Sequence, residues 1–357
     1  MRLRRLVARG FRNLADLECE PSAAGAAVLG SNAQGKTSLL EAIYYPVLFR
    51  SFRGAPDQEV AGFDGPGFQV EAEVAGGPVR TLVTSYQAAG RRKRILVDGD
   101  EPVRLADAVG GWLAVVFLPT DVGLASGPAS ERRQYLDRLL SLAHRPYLRA
   151  LSRYRAALAQ RNSALRQGRD GVAQAFDAPL AAAGAEVVVA RRLWAVDAAE
   201  QFAAEFDCLG ERGAARLLYR GTEELADPAA WPAALEAAVP QDRARAMTTI
   251  GPHRDDLVLD IGGKGLRDFG STGQQRSAAV ALKLLELTAL KGASGTEPAL
   301  LLDDVFAELD RERQRRLAHR LLGEGSRQVF VTAPRPDELP ADLALPVWTV
   351  DAGRLEQ

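Results

Sequence analysis

The sequence predicts an α/β fold that is interrupted by a mainly helical insertion, and three regions of different texture indicate it. Residues 1–119 contain strand-like segments, whereas residues 120–246 are rich in Ala, Leu and Arg at helical spacing. Strand-like segments return in residues 247–357. Because hydrophobic periodicity separates helices from strands, we expect one α/β domain formed by residues 1–119 and 247–357, with residues 120–246 inserted as a helical domain.

Three segments of the first region carry strand signals. Residues 68–74 alternate between apolar and polar side chains, which is the pattern of a half-buried strand. Residues 94–97 run into Asp98-Gly99, a dipeptide that favours a tight hairpin turn. Residues 112–118 form a nearly continuous apolar run that ends at Pro119, as expected of a buried strand.

Helical spacing of Leu and Tyr extends from about residue 130 to residue 246, with breaks at residues 168–171 and at Pro232. This region is too short for a long coiled-coil arm, and no heptad persists over several turns. In the last region we expect strands at residues 257–261, 299–302 and 329–332, and an amphipathic helix at residues 277–290.

Composition excludes several classes of protein. The 357 residues are 47% hydrophobic and 25% charged, as in a globular chain, and the net charge of −1 excludes a uniformly basic protein. No apolar run reaches the roughly 18 residues that a membrane span needs. The two cysteines and three histidines form no zinc-like spacing. We therefore expect a cytoplasmic protein without a structural metal or a disulfide framework.

A phosphate-binding motif lies near the N-terminus. It fits the pattern G-x-x-x-x-G-K-[ST] and comprises Gly30, Ser31, Asn32, Ala33, Gln34, Gly35, Lys36 and Thr37. An apolar run precedes it and a helix-like segment follows it, which is the strand–loop–helix setting that the motif requires. Backbone N–H groups of the loop would face phosphates, Lys36 would hold the β- and γ-phosphates, and the Thr37 hydroxyl would bind Mg²⁺. Lysine is scarce, with five against 40 arginines, which strengthens the assignment of Lys36.

Two adjacent carboxylates, Asp303 and Asp304, end the apolar run 299–302. Beside a phosphate loop, such a pair predicts that Asp303 binds Mg²⁺ and that Asp304 is the catalytic residue that polarises the attacking water. Carboxylates also end many strands without any catalytic role, so this interpretation depends on the phosphate loop.

A short hydroxyl-bearing loop, residues 270–275, precedes the predicted helix 277–290. It contains Ser271, Gly273 and Gln274, and the N-terminus of a helix attracts anions through its dipole and its free N–H groups. An ordinary Ser or Thr N-cap after a glycine turn is the alternative interpretation.

The order of these motifs resembles that of ABC-type ATPases. The loop at Ser271 is similar to their signature loop, and residues 308–310, Glu-Leu-Asp, are similar to their D-loop. The resemblance implies an ABC-type ATPase head, a P-loop α/β fold with mixed sheets, carrying the helical domain as an insertion. It also implies a nucleotide held between two subunits, in which Ser271 of one protomer meets the γ-phosphate held by Lys36 of the other.

A closer resemblance, to the RecF family of bacterial DNA repair ATPases, extends over nearly the whole chain. The motifs that carry it lie at residues 10–13, 50–53, 119–121, 132–133, 249–256 and 302–305. The run Gly-Pro-His-Arg-Asp-Asp at residues 251–256 is the most specific of them. The resemblance implies that Arg12 and Asn13 also bind the nucleotide.

The resemblance to the RecF family implies a function as well. It implies a weak Mg-dependent ATPase that acts as a switch, dimerises on ATP and binds duplex DNA near single-strand gaps. Its setting would be recombinational repair and SOS-linked recovery of replication forks, with RecR and RecO as partners that together promote RecA loading.

Four positions depart from the pattern of ABC-type ATPases. Asp304 stands where many have Glu, Thr332 stands in place of their switch histidine, and Thr272 replaces the first glycine of the signature. No glutamine is evident at a Q-loop position near residues 120–121. Apart from Thr272, these departures favour slow hydrolysis.

Arginine is concentrated in residues 131–169, where ten arginines stand against two acids. Arginines that neutralise phosphates give sequence-independent binding of nucleic acid, although a solvated helix face has the same composition. We expect the DNA contacts among nine basic residues: Arg50, Arg53, Arg91, Arg92, Lys93, Arg132, Arg133, Arg138 and Arg149.

Two other functions stay open at the level of sequence, a transporter nucleotide-binding subunit and a Rad50- or SMC-like chromosome ATPase. The inserted domain and the lack of a linked membrane segment argue against the first. The short helical domain without a CxxC hook argues against the second. His253 is either an acid–base catalyst or a hydrogen-bonding residue that orders its loop.

Overall fold

Both ends of the chain build one structural unit, and the middle builds a second. The computed structural model describes residues 1–62, 65–211, 213–306, 311–322, 327–340 and 343–357. Met1–Asp121 and Glu286–Gln357 form the first unit, and Val122–Leu285 forms the second.

The strands are β1 (Arg2–Arg9), β2 (Leu17–Cys19), β3 (Gly25–Leu29), β4 (Gly67–Ala75), β5 (Thr81–Gln87), β6 (Arg92–Val97), β7 (Ala114–Phe117), β8 (Ala215–Arg220), β9 (Asp256–Ile261), β10 (Lys264–Gly265), β11 (Ala299–Leu302), β12 (Val329–Ala333), β13 (Val347–Asp351) and β14 (Arg354–Glu356). The α-helices are α1 (Lys36–Leu48), α2 (Asp57–Val60), α3 (Leu105–Ala108), α4 (Gly123–Ser126), α5 (Ala129–Ala143), α6 (Arg145–Arg166), α7 (Asp170–Gln174), α8 (Asp177–Cys208), α9 (Trp231–Arg245), α10 (Leu266–Phe269), α11 (Thr272–Ser294) and α12 (Arg311–Leu322). None of the helices in the described ranges is long and apolar enough to cross a membrane.

A six-stranded sheet forms the centre of the first unit, in the order β14-β13-β3-β12-β11-β7. The strands from β13 to β7 are parallel to their neighbours, and only the edge strand β14 is antiparallel. Parallel strands are covered on both faces and read as continuous apolar runs, which is why β7, β11 and β12 are buried throughout. The strands predicted at residues 112–118, 299–302 and 329–332 are confirmed.

A five-stranded antiparallel sheet, β2-β1-β4-β5-β6, completes the first unit. Residues of β4 alternate between buried and half-buried positions, as their sequence predicts. The turn at Asp98-Gly99 is present, with positive φ at both residues. Across it Val97 forms a single antiparallel bridge with Asp100, while the strand before the turn, β6, pairs along its length with β5. The Asp98 carboxylate instead accepts the backbone N–H groups of Arg80 and Thr81, at 2.9 and 2.8 Å, and so ties the turn to the start of β5.

The second unit contains α5 to α9 and a three-stranded sheet, β10-β9-β8. Strand β8 lies inside the region predicted to be helical, and it pairs antiparallel with β9 from Ala215–Ile261 to Arg220–Asp256. This pairing joins residues beyond 246 to the inserted unit, so the unit ends at Leu285 and not at the predicted boundary. The predicted break at Pro232 falls in the first turn of α9, where proline is well tolerated.

Candidate nucleotide-binding site

The phosphate-binding motif connects β3 to α1, as the sequence predicts. Two of its glycines are required by the geometry. A Cβ at Gly30 would lie 2.3 Å from the Val350 carbonyl oxygen, and Gly35 has a φ of 118° immediately before α1. An L-residue with a side chain would clash at the first position and would be strained at the second.

The Lys36 side chain folds back onto the loop that precedes it. Its side chain is buried, and its Nζ donates hydrogen bonds to the carbonyl oxygens of Gly30, at 2.7 Å, and Ser31, at 3.2 Å. These contacts hold the ammonium at the centre of the loop, where a phosphate chain would meet it.

Thr37 and Asp303 meet as predicted, although they are 266 residues apart in sequence. The Thr37 hydroxyl lies 3.0 and 2.9 Å from the two carboxylate oxygens of Asp303. Burial raises the pKa of Asp303, while its hydrogen bonds to Thr332 and Thr37 act in the opposite direction. A hydroxyl and a carboxylate thus converge at the end of β11, beside Lys36.

Thr332, at the place of the switch histidine, joins the two acids. Its buried hydroxyl donates to Asp303 Oδ1 at 2.9 Å and accepts the Asp304 backbone N–H at 3.0 Å. Asp304 has a φ of 48° and lines the cleft above the loop, whereas Asp303 is buried. One hydroxyl group in the neighbouring strand thus contacts both acids.

Asn13 and Gln34 support the phosphate loop. Asn13 Nδ2 donates to the Ala33 carbonyl at 3.1 Å, and its Oδ1 accepts the Ser38 hydroxyl at 2.7 Å. Gln34 Oε1 accepts the backbone N–H of Ala352, in the turn between β13 and β14, at 2.5 Å. Both side chains fix the loop from outside, a role that the motif does not reveal.

Arg12 is held by a buried carboxylate that the sequence analysis missed. Its guanidinium bonds both oxygens of Glu41, at 3.0 and 2.8 Å, and also donates to the Glu59 carbonyl at 2.8 Å. Glu41 lies on α1 and is completely buried. A glutamate inside an apolar helix segment just after a phosphate loop was the available signal.

An open cleft of about 1380 Å³ in the first unit lies at the phosphate loop. The residues predicted for the nucleotide site that line it are Arg12, Asn13, Asn32, Ala33, Gly35, Lys36, Thr37 and Asp304. The cleft is larger than most small-molecule pockets, so its volume is sufficient for a nucleoside triphosphate.

The loop at Ser271 belongs to the second unit and begins α11, five residues before the predicted helix start. Ser271 Oγ accepts the backbone N–H of Gln274 at 3.2 Å, and Gln274 Oε1 accepts that of Ser271 at 3.0 Å. This is a capping box, so the N-cap interpretation holds for the isolated chain. Ser271 is nonetheless exposed, and Gly273 lies in the same first turn. Residues 308–310, which are similar to a D-loop, lie outside the described residues.

The candidate DNA-binding residues differ in how they are paired. Arg132 is buried and bonds both carboxylate oxygens of Asp256, at 2.8 and 2.9 Å. Lys93 donates to Tyr45, Asp57 and the carbonyl of Phe49, and burial lowers the pKa of its ammonium. Each of these two cations is therefore already paired with an acid of its own unit.

The other candidates are less enclosed. Arg133 donates to the Asp255 carbonyl at 2.7 Å, and Arg138 lies over the Tyr135 ring. The exposed members of the set are Arg50, Arg53, Arg91, Arg92 and Arg149.

His253 orders its loop. Its Nε2 donates to the Thr248 carbonyl at 3.0 Å, and its Nδ1 accepts the Tyr154 hydroxyl at 2.6 Å. Burial lowers the pKa of the ring. Both nitrogens are therefore occupied by structural hydrogen bonds, which favours the loop-ordering interpretation over acid–base catalysis.

Comparison with known proteins decides the family. The chain is 38% identical to the DNA replication and repair protein RecF of Anaeromyxobacter dehalogenans (strain 2CP-C), over 94% of this chain and 93% of that protein. The chain belongs to the RecF family. A RecF protein of Chloroflexus aurantiacus is 35% identical over 99% of both chains. No protein-family model matches the chain.

Solved structures agree with this assignment. The recombination mediator protein RecF of the RecFOR pathway, solved as RecF-ATP, matches with a TM-score of 0.88 and 29% identity over 99% of this chain and 96% of that one. Its RecF-ATPrS form matches with a TM-score of 0.86 and 28% identity, over 99% and 97%. An Smc head bound to a ScpA domain has a TM-score of 0.55 at 15% identity, covering 100% of this chain and 97% of that one, a likeness of fold alone. The predicted ABC-type ATPase head is confirmed.

Proposed function

We propose that this chain is an ATP-dependent DNA-binding protein of recombinational repair and replication-gap or fork recovery. The observation that carries the proposal is the convergence of Lys36, Thr37 and Asp303 at one end of a parallel sheet, in a chain of the RecF family. In this proposal ATP is the ligand, because the loop offers N–H groups and a lysine to a phosphate chain.

The donor set at Thr37 and Asp303 fits Mg²⁺, since a hydroxyl and a carboxylate that already lie about 3 Å apart are oxygen ligands of the kind this ion prefers. When bound, Mg²⁺ would neutralise phosphate charge. Lys36 would hold the β- and γ-phosphates, and Asp304, placed by Thr332, would orient the attacking water.

Hydrolysis in this proposal is slow, and ATP acts mainly as a switch. The residue beside the two acids is Thr332, whose hydroxyl is already bonded to Asp303 and Asp304, so no basic side chain assists at that position. A site that binds ATP well and cleaves it slowly suits a protein that must stay on DNA for some time.

Bound ATP would join two copies, with the exposed loop at Ser271 of one copy against the nucleotide of the other. The dimer would hold duplex DNA near single-strand gaps through exposed arginines, among which Arg50, Arg91, Arg92 and Arg149 are candidates. The proposed partner is RecR, and RecO and RecA act in the same proposed pathway. The proposed location is the cytoplasm.

The test is DNA affinity across a salt series, with and without ATP, for the wild type and for Lys36→Met. We expect affinity that depends on ATP and falls steeply with salt, and we expect the variant to lose the ATP-dependent part. Lys264→Met, an exposed lysine of the second unit, is the matched control. DNA binding that is indifferent to ATP in the wild type would refute the switch.

A further inference from the structure

Arg53 lies in the nucleotide cleft, although the sequence places it among the candidate DNA-binding residues. It lines the same cleft as Lys36, Thr37 and Arg12. Its side chain is 50% exposed, so the guanidinium is open to a ligand in that cleft.

The nearest anion to Arg53 is already engaged. Both carboxylate oxygens of Glu41 accept hydrogen bonds from Arg12, at 2.8 and 3.0 Å. Arg53 Nη1 lies 3.8 Å from Glu41 Oε2, which is an ion-pair distance beyond hydrogen-bond reach. Within the described ranges the Arg53 guanidinium makes no hydrogen bond. Its charge is attracted to Glu41, but its five N–H donors have no acceptor there.

The backbone that carries Arg53 is anchored, which leaves the side chain as the adjustable part. The Arg53 N–H donates to Ser51 Oγ at 3.0 Å, and Ser51 itself is buried. The Phe52 ring packs edge-on against Tyr44 at 5.5 Å, and Lys93 bonds the Phe49 carbonyl. Because the backbone of this loop is already fixed, a bound ligand would have to order only the Arg53 side chain.

We propose that Arg53 is a nucleotide-binding residue that donates to a phosphate oxygen of the ligand, and that Glu41 positions its guanidinium beside Arg12. This inference rests on the proposed binding of ATP. A guanidinium matches a phosphate through parallel N–H donors, and the triphosphate is the anion that this cleft is expected to hold. Arg53 then acts in the nucleotide site and not on DNA.

The experiment measures ATP affinity by calorimetry for the wild type, Arg53→Gln, Arg53→Lys and Arg50→Gln. A charge-assisted hydrogen bond to a half-exposed group predicts a roughly tenfold weaker affinity for Arg53→Gln. Arg53→Lys, which keeps the charge, should recover part of that loss. Arg50→Gln removes an exposed arginine from the same loop, outside the cleft lining, and should leave ATP affinity within about twofold.

Wild-type ATP affinity in Arg53→Gln would overturn the inference, whether or not its DNA affinity falls. An equal loss in Arg53→Gln and Arg53→Lys, accompanied by a lower melting temperature, would also overturn it, because it would indicate a structural role. Failure of the proposed function is a different result, in which the wild type itself does not bind ATP or Lys36→Met binds it equally well.

Discussion

Replacing Thr332 by Val tests how Asp304 is positioned. The substitution keeps the shape of the side chain and removes one buried hydroxyl. It deletes the 2.9 Å bond to Asp303 Oδ1 and leaves the Asp304 backbone N–H, which bonds that hydroxyl at 3.0 Å, without its acceptor.

The expected magnitude follows from these two bonds. A buried donor without a partner costs about 1–3 kcal/mol, and a bond to a carboxylate contributes about 1.5–3 kcal/mol. Asp303 keeps its contacts with Thr37, and the bond from the Asp304 N–H is only partly buried. The lower half of each range therefore applies, and the total is about 3 kcal/mol. For a unit of this size that corresponds to a melting temperature lower by about 6–12 °C. If half of the energy is expressed in the placement of Asp304, hydrolysis slows about tenfold.

The assay pairs thermal unfolding with single-turnover hydrolysis at saturating ATP. Thr332→Ser is the control, since it retains the hydroxyl and loses one methyl group, at about 1 kcal/mol. We expect Thr332→Val to bind ATP as the wild type does and to hydrolyse it about tenfold more slowly. Hydrolysis at the wild-type rate in Thr332→Val, or an equal rate loss in Thr332→Ser, would show that this hydroxyl does not position Asp304.

Three further predictions concern the second unit. Arg191→Met should lower the free energy of unfolding by about 3 kcal/mol, because Arg191 is buried against Asp137. Arg155→Met removes a half-exposed partner of the same carboxylate and should lower it by less than about 1 kcal/mol. Denaturant titrations of both variants measure the difference. The pKa of His253 is lowered in the folded chain, so near pH 6.5 the unfolded chain binds a proton that the folded chain does not bind. The free energy of unfolding should therefore fall as the pH drops below that value. In His253→Gln the melting temperature should decline less steeply between about pH 7.5 and about pH 5.5. Ser271→Arg should retain ATP binding and lose ATP-dependent dimerisation in light scattering; normal dimerisation of that variant would contradict the proposed sandwich.

Much of the nucleotide site was predictable because its chemistry is local in sequence. The phosphate loop needs glycine, lysine and threonine at fixed spacing, and an apolar run that ends in two acids identifies the facing strand. Thr37 and Asp303 therefore meet as expected. A glutamate in an apolar helix segment indicates a buried carboxylate but does not identify its partner, and the partner of Glu41 is Arg12, 29 residues earlier.

The candidate DNA-binding residues show where composition stops being informative. Ten arginines in residues 131–169 indicate a basic surface, yet Arg132 neutralises Asp256, 124 residues away. Lys93 likewise pairs with Asp57 inside the first unit. A basic side chain is available to bind DNA only when no acid of the same unit pairs with it, and which acids lie close enough to pair is decided by packing.

The sequence by itself determined four strands of the parallel sheet (β3, β7, β11 and β12), the phosphate loop and the family, because apolar runs, glycine turns and motif spacing are properties of short segments. Only the tertiary structure decided that β8 and β9 pair and carry the inserted unit to Leu285. It also decided that Thr332 joins the two acids and that Arg53 lines the nucleotide cleft. These features depend on contacts between distant residues, and such contacts are set by how the segments pack together.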